Sequence, residues 1–423
     1  MLSIATIRQQ PDFVKERLTV RNFSQPEIVD ELLSMDESIR QQKVTTESLQ
    51  ANINAASKEI GVLMGKGEKD AAEEKKAAVS GWKSELAGLS QQLNELEANF
   101  QKKLLLLPNL PHTSVPAGKS AEDNEVVRTG GVIPTLSPSA KPHWDLITAH
   151  QLIDFETGAK LAGSGFPLYK GKGAKLQRSL IQYFLDYNTA AGYTEYLPPL
   201  MVNEATAYGT GQLPDKEGQM YHITADGLYL IPTAEVPVTN VYSQEILKEN
   251  ELPVKMTAYT PCFRREAGSF GSDVRGLNRV HQFDKVEIIQ LVRPENSYDV
   301  LEAMVKHVET LLQQLELPYR ILRLCGGDMG FTSALTYDFE VFSAAQQKWL
   351  EVSSVSNFES FQTNRMKIRY KDAQGKTQLL HSLNGSSLAL PRIVAALLEN
   401  NQTENGIRLP KALHAYFGAE QIV

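Results

Sequence analysis

From Pro26 onward, apolar or small residues recur at an alternating four-three spacing that few folds accommodate: Ile28, Leu32, Met35, Ile39, Thr46, Leu49, Ile53, Ala56, Ile60 and Leu63, with the polar Gln42 at one seam position. That spacing predicts a long helix with a coiled-coil seam. A second series runs Val79, Trp82, Leu86, Leu89, Leu93, Leu96, Phe100 and Leu107, with Lys103 at one position, and the glycine-bearing stretch Gly61 to Asp70 lies between the two. Two helices joined by a short turn run antiparallel. At 1.5 Å per residue each would be roughly 50 Å long, more than a compact domain needs, which predicts a projecting hairpin. Its purpose stays open. Between Pro26 and Leu107 there are ten Lys or Arg against fourteen Asp or Glu. The faces therefore read as solvated, and a dimerisation coiled coil or two bundle helices fit the pattern as well as a binding arm does.

The helical rhythm stops at Pro108, Pro111 and Pro116, and a polar, breaker-rich stretch follows through Gly131. These signals divide the chain into an N-terminal helical arm, 1–112, and a second domain, 113–423. In the latter, helical stretches at Lys175 to Ala190 and Ser297 to Leu315 are interspersed with β-patterned runs. The runs are Leu228 to Ile231, Thr257 to Arg265, Val286 to Val292, Tyr337 to Phe342 and Trp349 to Val355. They lack regular strand-helix alternation, so the expected class is α+β, with a central antiparallel sheet flanked by helices.

With 423 residues, 42% of them hydrophobic, the chain can bury a sizeable core, and its net charge of -7 announces no nucleic-acid partner. Cys262 and Cys325 have neither zinc-site spacing nor a disulfide framework, which predicts a reduced, cytoplasmic setting. The stretch Met1 to Arg21 carries Arg8, Asp12, Lys15, Glu16 and Arg17 without an apolar core of signal-peptide length, and no membrane role is expected.

Familiar nucleotide signatures are missing: Gly171-Lys172-Gly173 lacks P-loop spacing, and there is no GxGxxG after a strand, no HExxH and no GxSxG. Other constellations carry chemistry. In Thr260-Pro261-Cys262-Phe263-Arg264-Arg265-Glu266 a strand period of two puts Arg264 and Glu266 on one face, where guanidinium and carboxylate can grip one ligand, or simply form a solvated strand end before a loop at Gly268 to Gly276. Glu287 shares a mostly apolar face with Phe283, Ile289 and Leu291 and needs a partner, either Lys285 or the ammonium of a bound amino acid. Glu351 with Ser353 and Ser354 suits a hydrated Mg²⁺ near phosphates, and equally an edge strand. The small residues of Leu383 to Leu390 lead through Pro391-Arg392 into an apolar helix, allowing close backbone approach to a ligand.

Taken together and in order, these pieces resemble the seryl-tRNA synthetases, a class II aminoacyl-tRNA synthetase family, over essentially the whole chain. The hairpin resembles that family's tRNA-binding arm. Tyr193 to Val202, with Pro198 and Pro199, resembles motif 1 at a homodimer interface; Cys262 to Glu287 resembles motif 2 and Gly385 to Asn400 motif 3. Thr233-Ala234-Glu235 matches the serine-site triplet, and Leu324 to Gly330 and Glu351-Val352-Ser353-Ser354 match further signatures.

The resemblance implies a serine subsite of Thr233, Ala234, Glu235, Arg264, Glu287 and Ser386. It implies ATP contacts from Arg264, Arg265, Glu266, Val280, Glu351, Val352, Ser353, Ser354 and Arg392, with Mg²⁺ at Glu351 and Ser354 and catalysis through Arg264 and Arg392. The expected partners are L-serine, ATP, tRNA(Ser), with tRNA(Sec) as a second candidate acceptor, and a second copy of the chain. Where many relatives carry glycines in motif 3, this chain has Ser387 and Pro391, which predicts local loop adjustment with activity retained. Two other classes compete: a regulatory protein that has lost aminoacylation, which the intact charged residues oppose, and an enzyme that activates an amino acid for a carrier protein, which would not need the hairpin.

Overall fold

The computed structural model describes residues 1–215, 218–266 and 275–423. The chain divides into two compact units, Met1–Thr19 with Phe23–Pro108, and Val20–Asn22 with Asn109–Val423.

The first unit opens with short helices at Ile4–Gln9 and Pro11–Val20, followed by α1 (Ile28–Lys66) and α2 (Lys69–Leu104). The seam residues are the less exposed ones along both helices, with Ile53, Ala72, Val79 and Phe100 buried. The turn is tighter than the span Gly61 to Asp70 suggested. It consists of Gly67 and Glu68: Gly67 takes a φ of +81°, its N–H donates to the Met64 carbonyl at 3.2 Å, and the Glu68 N–H donates to the Leu63 carbonyl at 3.0 Å. This is a glycine cap. Gly61 and Gly65 stay helical, since a helical glycine costs only about 1 kcal/mol and the part-buried Leu63 and buried Ala72 carry the less exposed side of the hairpin on to the turn. Charges pair across the hairpin, Lys43 with Glu97 at 2.6 Å and also Lys103 with Glu31 and Lys75 with Glu59, which is why no basic stripe emerges.

The second unit is built on an eight-stranded sheet. Its strands are β1 (Glu125–Gly130), β2 (Thr194–Tyr196), β3 (Val254–Phe263), β4 (Gln282–Val292), β5 (Tyr319–Arg323), β6 (Leu335–Ser343), β7 (Lys348–Asn357) and β8 (His381–Ala389). The spatial order is β1-β5-β6-β7-β8-β4-β3-β2, antiparallel except where β2 lies parallel to β3. The run Leu228 to Ile231 forms instead the middle strand of a small three-stranded sheet. Helices α3 (His143–Ala149), α4 (Gly171–Ala190), α5 (Glu235–Thr239), α6 (Ser297–Gln314), α7 (Phe361–Met366) and α8 (Leu390–Asn400) complete the parts that matter for the site.

Alternation gives the sheet two unlike faces. Val286, Ile288, Phe339, Val341 and Val355 pack against Leu180 and Phe184 of α4, Leu301 and Val305 of α6, and Ile393 and Leu397 of α8 in the main core. The cross-strand pairs Glu287 with Ser386, Ile289 with Asn384 and Ser356 with Asn384 mark the opposite, polar face. Every residue of α8 is buried except Arg392, in its first turn beside Pro391. The helix is apolar through its middle, with Arg392 at its start and the buried Glu399 and Asn400 at its end.

No helix among the described residues is long and apolar enough to cross a membrane. Both cysteines are free and buried.

Candidate active site

A cavity of about 510 Å³ opens on the polar face of the sheet, with Thr233, Glu235, Arg264, Glu266, Val280, Glu287, Glu351, Val352, Ser353, Ser354, Ser386 and Arg392 on its walls. Residues from seven separate segments converge there. Two residues expected at the site do not line it: Ala234 is fully buried in a core cluster with Met256 and Ile289, and the Arg265 side chain is exposed while its N–H donates to the Gln219 carbonyl at 3.0 Å.

At one end sits an acidic pocket. Glu287 Oε2 meets Lys285 Nζ at 2.5 Å, the donating Thr233 hydroxyl at 3.2 Å and the Ser386 hydroxyl at 3.5 Å. All three contacts fall on Oε2, so Oε1 has no such partner among the described residues. Lys285 is thus a real partner, and it leaves one carboxylate oxygen for a ligand. Glu235, in the first turn of α5, accepts from Gln362 Nε2 of α7 at 2.6 Å. Burial, then the charge of Glu287, pushes its pKa above the usual carboxylate range. The Asn384 side chain lies on the same lining and helps hold the Glu235 charge. Two carboxylates, one with an oxygen left over, and the Thr233 and Ser386 hydroxyls in a small pocket suit a compact ligand bearing an ammonium and a hydroxyl.

Arg264 lies in the middle. Strand β3 ends at Phe263, so Arg264 and Glu266 do not reach a common face by strand alternation as the sequence suggested. The backbone leaves the ladder: the Arg264 N–H donates to the His281 carbonyl at 2.9 Å, and Glu266 takes a φ of +47°. Both side chains nevertheless reach the cavity. Arg264 Nε donates to the Pro232 carbonyl at 3.4 Å and its guanidinium lies 5.3 Å from the Phe283 ring centroid. No carboxylate neutralises it among the described residues, which leaves its charge for an anion. Glu266 accepts from Arg279 Nη1 at 2.9 Å. The loop expected at Gly268 to Gly276 lies outside the described residues up to position 274.

The far end is built by a bulge. β7 pairs Glu351 with Glu340 and Ser353 with Phe339, so Val352 is an extra residue. The shift puts Glu351 and Ser354, three apart, on the cavity face, while the Ser353 hydroxyl turns to donate to the Ser386 carbonyl at 2.6 Å. Arg392 spans the gap, Nη1 to the Glu351 carbonyl at 2.8 Å and Nε to the Asn278 carbonyl at 3.1 Å. Burial lowers the Arg392 pKa from its usual range, and Glu351 opposes that. Asp338, opposite Ser354, has an Oδ1 buried without a partner; burial, then Glu351, holds its pKa well above the usual range.

Carboxylate and hydroxyl oxygens at Glu351 and Ser354, with the orphaned Asp338 oxygen behind them, are the hard donors Mg²⁺ prefers. No group of three His, Cys, Asp or Glu able to hold a metal occurs among the described residues, so such an ion would complete its shell with phosphate and water.

The segment expected to adjust as a loop around Ser387 is strand β8. Ser387 is fully buried, and its hydroxyl donates to Asn188 Oδ1 of α4 at 2.9 Å, so the ladder and α4 absorb it. A Cβ on Gly385 would sit 2.7 Å from Val355 Cγ2, so the neighbouring strand, not a ligand, demands that glycine.

Residues 1–111 match the seryl-tRNA synthetase N-terminal domain, and residues 221–401 match the tRNA synthetase class II core domain (G, H, P, S and T). The serine–tRNA ligase of Salinibacter ruber is 51% identical across 100% of this chain and 99% of its own length. The chain belongs to the seryl-tRNA synthetase family. The serine–tRNA ligase of Methylacidiphilum infernorum is 47% identical over the full length of both chains. Among solved structures, the seryl-tRNA synthetase of Pyrococcus horikoshii complexed with ATP aligns over 100% of this chain and 99% of its own, with a TM-score of 0.94 at 35% identity.

Proposed function

We propose that the chain activates L-serine with ATP and transfers the seryl group to tRNA(Ser), each cavity residue taking the role its position supports. The observation that carries this reading is a single cavity holding an acidic, hydroxyl-matched pocket at one end, Arg264 without a carboxylate partner among the described residues, Arg392 held on backbone carbonyls and 4.0 Å from the Glu351 carboxylate, and hard oxygen donors at the other end. Full-length likeness to serine–tRNA ligases supports it.

The serine ammonium binds the free oxygen of Glu287 beside Glu235. Thr233 and Ser386 flank the hydroxyl, and leaving these buried groups unpaired rejects alanine. A carboxylate oxygen of serine forms a bond to the α-phosphorus as pyrophosphate leaves. Arg264 holds carboxylate and α-phosphate in line, Arg392 takes the terminal phosphate, and both offset the negative charge that gathers there. Glu266, the Val280 backbone and the Phe283 ring receive the adenine. Glu351 and Ser354 would hold Mg²⁺, which supplies positive charge at the phosphates when bound. A hydroxyl of the tRNA terminal adenosine then attacks the seryl carbonyl and releases AMP.

The hairpin, within residues 1–112, is the tRNA handle, gripping RNA by shape and backbone rather than through a basic groove. Leu197, 88% exposed, and Met201 leave apolar surface in the motif 1 stretch near the edge strand β2, which supports a homodimer. The free, buried Cys262 and Cys325 fit a cytoplasmic location. Aminoacylation of total tRNA with each of the amino acids tests the reading. Serine alone should be charged, onto tRNA(Ser) and, where it is present, tRNA(Sec); charging of another amino acid instead overturns it.

A further inference from the structure

His143 begins α3, far in sequence from the motifs, and is fully buried with Glu399 of α8. Its Nδ1 donates to Glu399 Oε1 at 2.7 Å, and the same carboxylate oxygen accepts the His143 backbone N–H at 2.9 Å. Its Nε2 accepts the Leu277 N–H at 2.9 Å. That pattern makes Nδ1 the donor and leaves Nε2 as the acceptor.

Leu277 belongs to the short segment that forms the ATP-side wall, and three more contacts tie that segment to the same place. A Cβ on Gly276, which has a φ of +66°, would lie 2.3 Å from His143 Nε2. The Arg275 guanidinium lies 4.7 Å from the ring centroid of Trp144. Asn278 Nδ2 donates to Gln346 Oε1 at 3.0 Å, and Gln346 Nε2 donates to Glu399 Oε1 at 2.8 Å. Meanwhile the other end of α8 reaches the segment through Arg392 and the Asn278 carbonyl. One rigid helix therefore grips the 276–280 wall at both ends, directly through Arg392 and through His143 from Glu399.

We infer that His143 is a positioning residue for ATP: its Nε2 lone pair sets the register of the Leu277–Val280 wall against Arg392, so that nucleotide and phosphate contacts fall at matching distances. This rests on the proposed role of that wall in binding ATP. A buried histidine that only fills the core would be indifferent to which ring nitrogen is replaced; a clamp is not.

The test exploits that difference in serine-dependent ATP–pyrophosphate exchange by the full chain. His143→Asn keeps a donor near the Nδ1 position and removes the acceptor at Nε2. It should raise the KM for ATP about tenfold or more, since the Leu277 N–H is left buried and unpaired, with the KM for serine changed less than about twofold. His143→Gln places an amide oxygen near the Nε2 position and should bring the ATP KM back to within about threefold of the parent. Gly276→Ala, which pushes on the ring without touching Glu399, should reproduce the ATP-selective defect even if a His143 variant folds poorly. Equal effects of Asn and Gln, or serine and ATP KM values rising together, overturn the inference. A parent enzyme that failed to activate serine would instead overturn the functional reading, so the two failures are distinguishable.

Discussion

Gln362 on α7 donates its side-chain amide to Glu235 on α5 at 2.6 Å, while its own Oε1 accepts the Ser382 hydroxyl at 2.8 Å. A fully buried glutamine thus holds a part-buried carboxylate in the pocket proposed for serine. Gln362→Leu removes a hydrogen bond to a charged group, worth about 1.5–3 kcal/mol. The expected outcome is a serine KM raised roughly 10- to 100-fold with the ATP KM little changed, read in pyrophosphate exchange.

Serine affinity should also depend on pH. Because burial, then Glu287, raises the folded-state pKa of Glu235, its carboxylate is lost as pH falls at values above the ordinary glutamate range. Serine binding should weaken there, and binding should release a proton, seen as a buffer-dependent heat in calorimetry. The stability sign runs the other way. A raised folded-state pKa favours the fold below the unfolded-state value, and that contribution is lost as pH rises through the folded-state pKa. Glu235→Gln should therefore leave Tm at neutral pH unchanged or higher while weakening serine binding.

At the far end, Ser354→Ala and Glu351→Gln should raise the Mg²⁺ concentration needed for half-maximal exchange, roughly tenfold or more for Glu351. Manganese resonance spectra in the presence of a non-hydrolysable ATP analogue should show weaker ion uptake in both variants. An unchanged metal requirement would remove these two residues from the ion's shell.

Replacing residues Ile39 to Val79 with a short turn should spare serine activation and collapse charging of tRNA(Ser). The two activities are measured on the same preparation, and charging that survives the deletion would mean the hairpin is not the RNA handle.

Local periodicity made the hairpin legible, since every seam position, even Gln42 and Lys103, is among the less exposed residues of its helix. Four of the eight sheet strands, β3, β4, β6 and β7, could be read from their alternating runs, whereas β1, β2, β5 and β8 could not; α8 announced itself through Pro391 and an apolar run. What failed was what depends on the chain leaving a ladder. The left-handed Glu266 and the bulge at Val352 aim side chains by backbone breaks that a period of two does not describe. The supports could not be read at all: Gln362, Arg279, Asp338 and His143 act through partners roughly 10 to 260 residues away in sequence. A lone histidine before a tryptophan carries no local signal of a carboxylate on another helix. The motifs named most of the cavity wall, but only the fold shows what holds it in place.

Arg264, which no carboxylate neutralises among the described residues, stands between the acidic pocket and the phosphate end, where its proposed role is to join serine carboxylate to α-phosphate. Serine-dependent ATP–pyrophosphate exchange by Arg264→Ala, with circular dichroism confirming an intact fold, tests it most directly. The predicted result is a loss of about 10²- to 10³-fold in kcat, the range for removing one aligned electrostatic contact. Exchange near the parent rate in the folded variant would contradict it.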